Sequence, residues 1–395
     1  MPACTSSFIP RLDGHVPLDE DEFVELWHVL STVPDPRDPR GVRHAFATIL
    51  TLAIGAVLAG CRSVAAITAW TVDLPPWTAH RLGVRRRPPA LSTISRTLIA
   101  VDPDVLDAVL GAWLATRTCA PAGMRALAVD GKTARGARRP DGTQVHLVAA
   151  LDHATGTVLG QVEVTSKGSE IAAFTAVLDR VDLHGCIVTA DALHTQRAHA
   201  HYLHHHGGHY VLTVKGNQPR LRARCAGLPW SQVQPGHVEH AAGHGRREQR
   251  TIQVITAVHP ALPFPHARQV ARIVRQRRHG PTGRERMQVE FVITDLTTEQ
   301  ADPAQLAALV RGHWGIENRL HWVRDVTFAE DHSALRTGHA ATVMATLRNT
   351  AISLLRLAGH QNIAAAAAAN GRRPERILEL IERSDQQQTS RDGRL

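Results

Sequence analysis

Two aspartates and a glutamate occupy positions typical of a metal site. Asp130 closes the apolar segment 125–129, and Asp191 closes the apolar segment 186–190. Glu317 lies far downstream, in a segment with helical character. Hard divalent cations prefer carboxylate oxygens, and a pair of such cations can act on a phosphodiester. These residues therefore predict phosphodiester chemistry at a carboxylate-held metal site.

The segment that carries Glu317 offers further reactive side chains. Glu317, His321 and Arg324 follow i, i+4, i+7 spacing, which places them on one stripe of an α-helix. Trp314 and Trp322 flank this stripe in a chain that has only seven tryptophans. The alternative, a solvated face, fits such an aromatic segment poorly. We expect the stripe to meet both a metal and a nucleic-acid backbone.

The charge of the chain favours a polyanionic partner. Its formal net charge is +9, and 25 histidines add positive charge below neutral pH. Only three of the 45 basic residues are lysine, and two of them, Lys132 and Lys215, lie beside predicted strands. A lysine retained in such an arginine-rich chain indicates a need for a compact ammonium group, with chance survival as the alternative.

Cysteine usage and hydropathy predict a soluble protein of a reducing cytoplasm. The five cysteines form no Cys-x-x-Cys pair, so we expect neither a disulfide framework nor a cysteine-ligated zinc site. The longest apolar run, 46–61, is 16 residues long, which is short for a membrane span and typical of a buried helix. The first residues lack the features of a signal peptide.

The middle of the chain predicts a sheet that would bring the two aspartates together. The patterns indicate three strands over 125–130, 144–152 and 157–164, followed by a helix over 170–182 and a strand over 186–191. A second helix over 199–206 and a strand over 209–214 complete the series. This is the element order of a ribonuclease H-like α/β domain. In that topology the first and fourth strands are neighbours about 4.8 Å apart, so Asp130 and Asp191 would lie side by side.

The flanking segments have different characters. Residues 19–112 are predicted to be helical, and the Ser/Thr-rich start of 91–98 fits either a helix-turn-helix reader of DNA or a plain accessory domain. Residues 216 to about 300 form an insertion with alternating strand patterns, and 246–286 hold ten arginines against two glutamates. We expect these arginines to bind nucleic-acid phosphates, and a solvated charged face is the alternative. A helix is predicted over 339–357, and the tail with alanines 364–369 is expected to be helical at first and then disordered at its polar end.

Four separated motifs resemble those of one enzyme family. They are Asp130-Gly-Lys132, Asp191-Ala-Leu-His194-Thr-Gln196, Val214-Lys215-Gly-Asn217-Gln218 and His313-Trp-Gly-Ile-Glu317-Asn-Arg-Leu-His321-Trp322. Together they resemble the DDE transposases of bacterial insertion sequences, and most closely the ISAs-type, or H-repeat-associated, group. The segment 35–41, followed by His44 and an apolar helix, resembles the domain associated with that catalytic domain. The resemblance covers residues 23–358.

The resemblance implies a fold, an activity and a metal. The fold would be α/β, with a ribonuclease H-like catalytic domain and a mostly β insertion, preceded by an all-α N-terminal domain. Residues 1–22 would be a flexible N-terminus, and residues 23–112 would be a helical associated domain with possible DNA binding. Residues 125–358 would be the DDE domain, interrupted at about 216–300, and residues 359–395 would be an Ala-rich polar tail. The activity would be cleavage of transposon 3′ ends and their joining to target DNA. Two Mg²⁺ ions, or Mn²⁺ in their place, would serve it.

The resemblance also implies roles for individual residues and partners. Asp130, Asp191 and Glu317 would be the catalytic, metal-holding triad. The implied DNA contacts are Lys132, Lys215, Asn217, Gln218, His321 and Arg324, although Gly216-Asn217 also fits a simple turn. The DNA partners would be terminal inverted repeats and target DNA, bound by a homodimer near the bacterial nucleoid and away from any membrane.

Several alternatives remain open from the sequence. Glu330, or with less support Asp325, is an alternative third carboxylate. Asp141 and Asp152 stand in turn contexts that favour a structural role. The histidines at 199–209 suggest zinc, but a solvated helix face is preferred because no acidic or cysteine partner stands nearby. A decayed relative that only binds DNA, or a nuclease unable to join ends, would share the same motifs.

Overall fold

The computed structural model describes residues 24–118, 123–139, 141–164, 169–243, 246–256, 262–279 and 285–382. The predicted flexible N-terminus, 1–22, lies outside the described residues, as does the end of the predicted tail, 383–395. The described helices are α1 Glu25–Ser31, α2 Phe46–Leu58, α3 Val64–Val72, α4 Pro76–Arg81, α5 Leu91–Ala100, α6 Pro103–Thr116, α7 Glu170–Leu178, α8 Arg197–His205, α9 Pro219–Ala226, α10 Pro303–His313, α11 Ala340–Leu357, α12 Ile363–Arg372 and α13 Glu375–Ile381.

One mixed sheet organises the centre of the molecule. Its strands are β1 Arg125–Arg138, β2 Gln144–Asp152, β3 Val158–Glu163, β4 Cys186–Ala190, β5 His209–Val214, β6 His237–Gly243, β7 Arg246–Thr256, β8 Gln269–His279 and β9 Glu285–Thr294. Their order across the sheet is β3-β2-β1-β4-β5-β9-β8-β7-β6. Strands β1, β4 and β5 run parallel, and β1–β2–β3 form an antiparallel meander. All strands predicted up to residue 214 are present, and β1 neighbours β4 as the topology required.

The insertion continues the sheet instead of forming a separate unit. Strand β9 pairs antiparallel with β5, with Leu212 opposite Ile293, and β8, β7 and β6 follow in turn. Helix α9 and strand β6 were not predicted. The residues of β6 are mostly exposed, so they carry little of the apolar alternation by which a strand is recognised in a sequence.

Helices cover both faces of the sheet because strand side chains alternate between the faces. On one face, Val129 and Val188 pack with Phe174 of α7 and Leu203 of α8. On the other face, Ile187 and Val211 pack with Leu306 of α10. Ala128 and Leu151 share this second face, where they join a core with α11. The site described below lies at one end of the β1–β4 pair.

The N-terminal helices share a single core with the C-terminal ones. Every residue of α2 is buried, which confirms the buried helix predicted within 46–61. Helix α11 packs on α2, α5 and α6, so the helical region and the sheet are joined through it. Ile363, Ile377 and Ile381, from the segment expected to form a tail, are buried in the same core. Residues 363–381 are therefore integral to the fold. Among the described residues, no helix has the length and hydropathy that crossing a membrane requires.

Candidate active site

Asp130 and Asp191 follow the last paired residues of the parallel β1–β4 ladder. Val129 pairs with Ala190, so the next residue of each strand reaches the same edge. Asp191 begins a short 3₁₀ turn, Ala192–His194, and its Oδ1 accepts a hydrogen bond from the Leu193 N–H at 2.9 Å. Strand β1 runs on to Arg138 instead of ending at Asp130, because its second half pairs with β2. Asp130 thus lies directly after the point where the pairing of β1 with β4 ends.

Glu317 and His321 reach Asp130 from a π-helical segment that continues α10. The π-helical turns span Glu317–His321 and Val323–Thr327, and the Trp322 N–H donates to the Glu317 carbonyl five residues earlier. The Nδ1 of His321 lies 3.2 Å from Glu317 Oε2 and 3.7 Å from Asp130 Oδ2. One ligand atom from each of the three residues lies within 4.8 Å of the others. Such π-turns are rare and frequently occur at functional sites.

The electrostatics of this cluster favour a bound cation. Burial raises the pKa of Asp130, and the neighbouring carboxylates of Asp191 and Glu170 raise it further, against the lowering effect of His321. A hydrogen bond with His321 lowers the pKa of Glu317. Negative charge is thus crowded at Asp130, and a divalent cation would relieve that repulsion.

The two lysines near the site differ in accessibility. Lys132 Nζ lies 2.6 Å from Asp325 Oδ2, and the Lys132 side chain is 8% exposed. Lys215 is 54% exposed and lies 3.5 Å from Glu290, a loose ion pair in a solvated position. Lys215 is therefore available to a phosphate in this conformation, whereas Lys132 would first have to leave Asp325.

Asn217 and Gln218 brace the loop that carries Asp191. The Asn217 side-chain amide donates to the Ala192 carbonyl at 2.5 Å, and that of Gln218 donates to the Thr195 carbonyl at 3.0 Å. Both bonds fix the 3₁₀ turn that Asp191 caps. The contacts observed for both side chains are with backbone carbonyls of this turn, and the direct DNA contacts suggested by the sequence stay a prediction.

Arg324 lies away from the site, contrary to the stripe predicted for an α-helix. It is fully buried, with its Nη2 2.8 Å from Glu330 Oε2, and Arg348 lies 2.9 Å from the other oxygen of Glu330. A π-helix has roughly 4.4 residues per turn, because its hydrogen bonds span five residues, so a seven-residue step reaches the opposite side of the helix. Glu330 is likewise enclosed by two arginines, and it is not placed to be the third carboxylate.

A fourth acidic residue beside Asp130 was not predicted from the sequence. Glu170 begins α7, and its carboxylate lies 2.7 Å from His146 Nε2 and 3.3 Å from His194 Nε2. A Cβ at Gly131 would stand 2.6 Å from the carboxyl carbon of Glu170, so a larger residue next to Asp130 would force this carboxylate to move. Hydrogen bonds from the two histidines lower the pKa of Glu170 to about 2. No motif marked this residue, because its partners come from three distant segments.

The remaining candidates have structural surroundings. Asp152 accepts from Thr155 and forms an ion pair with Arg125, and Asp141 accepts from Thr143, which confirms the turn roles predicted for both aspartates. His199 stacks on Phe174 at 4.1 Å, and its two ring nitrogens face backbone carbonyls. Within the described ranges, Asp130, Glu317 and His321 form the one group with metal-ligand spacing.

A basic groove of about 250 Å³ lies beside this site, between α10 and the inserted strands. Its lining includes Lys215, Arg250, Arg275, Arg277 and Trp314. The three arginines share one buried counter-charge, because each lies within 3.0 Å of a carboxylate oxygen of Glu248. The groove is thus less positive than the arginine count of the insertion suggests.

Comparisons with known proteins assign the chain to a family. Residues 121–354 match the family model described as Transposase DDE domain, and residues 27–114 match the one described as DDE_Tnp_1-associated. The Escherichia coli K12 proteins named "Putative protein YbfL" and "H repeat-associated putative transposase YhhI" are each 29% identical over 355 residues, which cover 85% of this chain and 91% of theirs. A solved piggyBac transposase synaptic complex with hairpin DNA aligns over 94% of this chain and 81% of that one, with 10% sequence identity and a TM-score of 0.42. This TM-score is too low to assign a fold. As the motif resemblance predicted, the chain belongs to the Transposase DDE domain family.

Proposed function

We propose that this protein is a DNA transposase that binds the terminal inverted repeats of its own element, cuts the 3′ ends and joins them to target DNA. The observation that carries this proposal is the convergence of Asp130 with Glu317 and His321 within 4.8 Å, at the end of the strand pair that also delivers Asp191. The family to which the chain belongs, the Transposase DDE domain family, supports DNA transposition as the reaction carried out at this site.

The residues present fit a pair of divalent cations. Asp130 has its pKa raised by burial and by its acidic neighbours, so its anionic form gains from a cation beside it. We assign Asp130, Asp191 and Glu317 as the metal-holding residues, with Mg²⁺ as the ion and Mn²⁺ as a substitute. When bound, such ions activate the attacking water or 3′-hydroxyl and stabilise the leaving oxygen.

The other side chains have supporting roles in this proposal. Lys215 is exposed beside the groove and would contact a DNA phosphate, and Lys132 would do so once displaced from Asp325. Asn217 and Gln218 hold the turn at Asp191, so they would act on the metal site through that turn. His321 lies between two carboxylates and is 4% exposed, which supports a role at the metal site in addition to the DNA contact predicted for it.

We further propose that the catalytic domain is ribonuclease H-like. The strand order β3-β2-β1-β4-β5, with α7 between β3 and β4, supports this topology. Strands β6–β9 would then be its β insertion, and the helices before residue 118 an all-α N-terminal domain. The need to hold two transposon ends together favours a homodimer on DNA, acting at the bacterial nucleoid in the cytoplasm.

A nicking assay tests the proposal. The wild-type protein should nick DNA that carries its flanking inverted repeats when Mg²⁺ or Mn²⁺ is added, and it should form joined products with target DNA. Asp130→Ala should lower nicking by at least about a thousandfold, because the metal site then lacks one of its ligands, while gel-shift binding to the repeats survives.

Other outcomes of this assay identify the alternatives. Repeat binding without any metal-dependent nicking would mark a decayed, purely DNA-binding relative. Nicking without joined product would mark a hydrolytic nuclease. Nicking that survives in Asp130→Ala would reject the assigned site.

A further inference from the structure

His321 has surroundings that a hydrogen-bonding role alone does not account for. Its side chain is 4% exposed, and Nδ1 faces the carboxylates of both Glu317 and Asp130. The other ring nitrogen, Nε2, is buried and has no hydrogen-bond partner in the described part of the chain. Within the described residues, His321 therefore makes its polar contacts through Nδ1 alone, and Nδ1 is the nitrogen that faces the two carboxylates.

The distances around Nδ1 match those between ligands of one ion. With metal–ligand bonds of about 2.1 Å, adjacent ligands of an octahedron lie about 3.0 Å apart and opposite ones about 4.2 Å apart. The observed separations from Nδ1, 3.2 Å to Glu317 and 3.7 Å to Asp130, fall between these values. A side chain that only paired with Glu317 would not need to approach Asp130 as well.

The π-helical turn explains how two ligands come from one helix. Glu317 and His321 are the first and last residues of a single π-turn, and each has a ligand atom within 4.8 Å of an Asp130 oxygen. Leu320 and Val323 of the same segment are buried in the core, which fixes the rotation of the helix about its axis. The ring of His321 is therefore held in place before any ion binds.

We infer that His321 is a nitrogen ligand of the divalent cation held by Asp130 and Glu317, so that one of the two metal positions has a mixed oxygen and nitrogen ligand set. This inference rests on the proposed function, since it requires a metal at this site. Imidazole nitrogen favours transition metals over Mg²⁺, whereas carboxylates suit both. The site should therefore bind Mn²⁺ more tightly than Mg²⁺, by a margin that depends on His321.

Electron spin echo measurements on Mn²⁺ bound to the full-length protein test this assignment directly. The wild-type spectrum should contain ¹⁴N modulation, which should change to that of ¹⁵N when histidine is ¹⁵N-labelled. The modulation should vanish in His321→Gln, and the Mn²⁺ dissociation constant should rise about tenfold. His332→Gln, which changes an exposed histidine nearby, should leave both properties unchanged.

A second variant keeps the test decisive if His321→Gln fails to fold. His321→Asp retains a ligand but makes it oxygen, so it should bind Mn²⁺ without ¹⁴N modulation and lose most of the preference for Mn²⁺ over Mg²⁺. Mn²⁺ binding without ¹⁴N modulation in a wild-type protein that nicks DNA would overturn the His321 assignment alone. Absence of both Mn²⁺ binding and nicking would overturn the proposed function together with it.

Discussion

Arg324, Glu330 and Arg348 form a cluster of buried charges whose members depend on one another. Burial alone would raise the pKa of Glu330, but the guanidinium groups of Arg324 and Arg348 outweigh that effect and hold it below its usual value. Arg324 also donates to the side chain of Gln161, which ties the cluster to β3. The cluster therefore joins the π-helical segment, the sheet and α11 at a point remote from solvent.

Removing the carboxylate of Glu330, which both arginines share, should destabilise the folded protein. Glu330→Gln leaves two buried arginines without their counter-charge, and we expect the free energy of unfolding to fall by about 3–5 kcal/mol in urea at neutral pH. Asp331→Asn is the matched control, because Asp331 lies 3.8 Å from a largely exposed Arg135 and should change stability by less than about 1 kcal/mol. A stable Glu330→Gln protein that no longer binds Mn²⁺ would instead make Glu330 a metal ligand.

The sequence predicted candidate carboxylates, two of which the structure brings together, Asp130 and Glu317, but it did not predict the orientation of the helix that carries Glu317. Asp130, Asp191 and Glu317 could be identified because aspartates at strand ends and a helical glutamate form a recognisable pattern. Arg324 and Glu330 were harder to place, because the rotation of a helix depends on whether its hydrogen bonds span four or five residues. The sequence of 317–327 carries no proline or glycine that would mark such a change.

At the scale of elements, Glu170 ties together segments that carry the two aspartates. It contacts β2 through His146, the Asp191 turn through His194, and β1 at Gly131. His146 in turn lies 2.8 Å from Thr133 of β1. These interactions fix the middle of β1, around Asp130, against the turn after β4, which sets the spacing of the candidate metal ligands.

This arrangement predicts a pH dependence of stability. The pKa of Glu170 is lowered from 4.5 to about 2 in the folded protein, so its contribution is fully present above about pH 4.5 and disappears as the pH falls toward 2. The difference in unfolding free energy between wild type and Glu170→Gln should therefore shrink as the pH falls from about 6 to about 3.5, measured by urea unfolding. Glu375→Gln, at an exposed position, is the control and should change the free energy of unfolding little. A constant difference for Glu170→Gln would contradict the hydrogen bonds between Glu170 and the two histidines.

The elements themselves were predictable to different degrees. The strands up to residue 214 contain short, mostly buried apolar runs and were predicted, whereas the second half of β1 is polar and is held as a strand by pairing with β2. Helix α12 agrees with the helical start predicted for the Ala-rich tail, whereas α13 and the burial of both helices were not predicted, because alanines and charged residues are also typical of a solvated segment. Their burial depends on α2 and α11, which are remote in sequence and become neighbours only on folding.

At the scale of the whole molecule, the inserted strands make the basic region a rigid extension of the catalytic sheet. Glu248 neutralises part of the charge of Arg250, Arg275 and Arg277, and it keeps these arginines in the groove. Arg247 and Arg286 are exposed near the outer ends of their strands. The phosphate contacts expected from the sequence should thus come more from these outer arginines than from the paired ones.

The salt dependence of DNA binding distinguishes the two groups. Arg247→Gln with Arg286→Gln should flatten the slope of log K against log salt concentration by about 0.9 for each phosphate that is no longer neutralised. Arg275→Gln is the comparison, because its guanidinium lies 2.8 Å from Glu248, and it should change the slope less. Filter-binding titrations over a range of salt concentrations provide the measurement. An unchanged slope in the double variant would indicate that the insertion is a solvated surface and does not grip DNA.

The most direct test of the proposed active site is anomalous diffraction from crystals grown with Mn²⁺ and a DNA end. We expect anomalous peaks bounded by the carboxylates of Asp130, Asp191 and Glu317, because these residues come from adjacent strand ends and the π-helical turn beside them. Peaks elsewhere, with Glu317 turned away from Asp130 in the DNA complex, would contradict the proposed site.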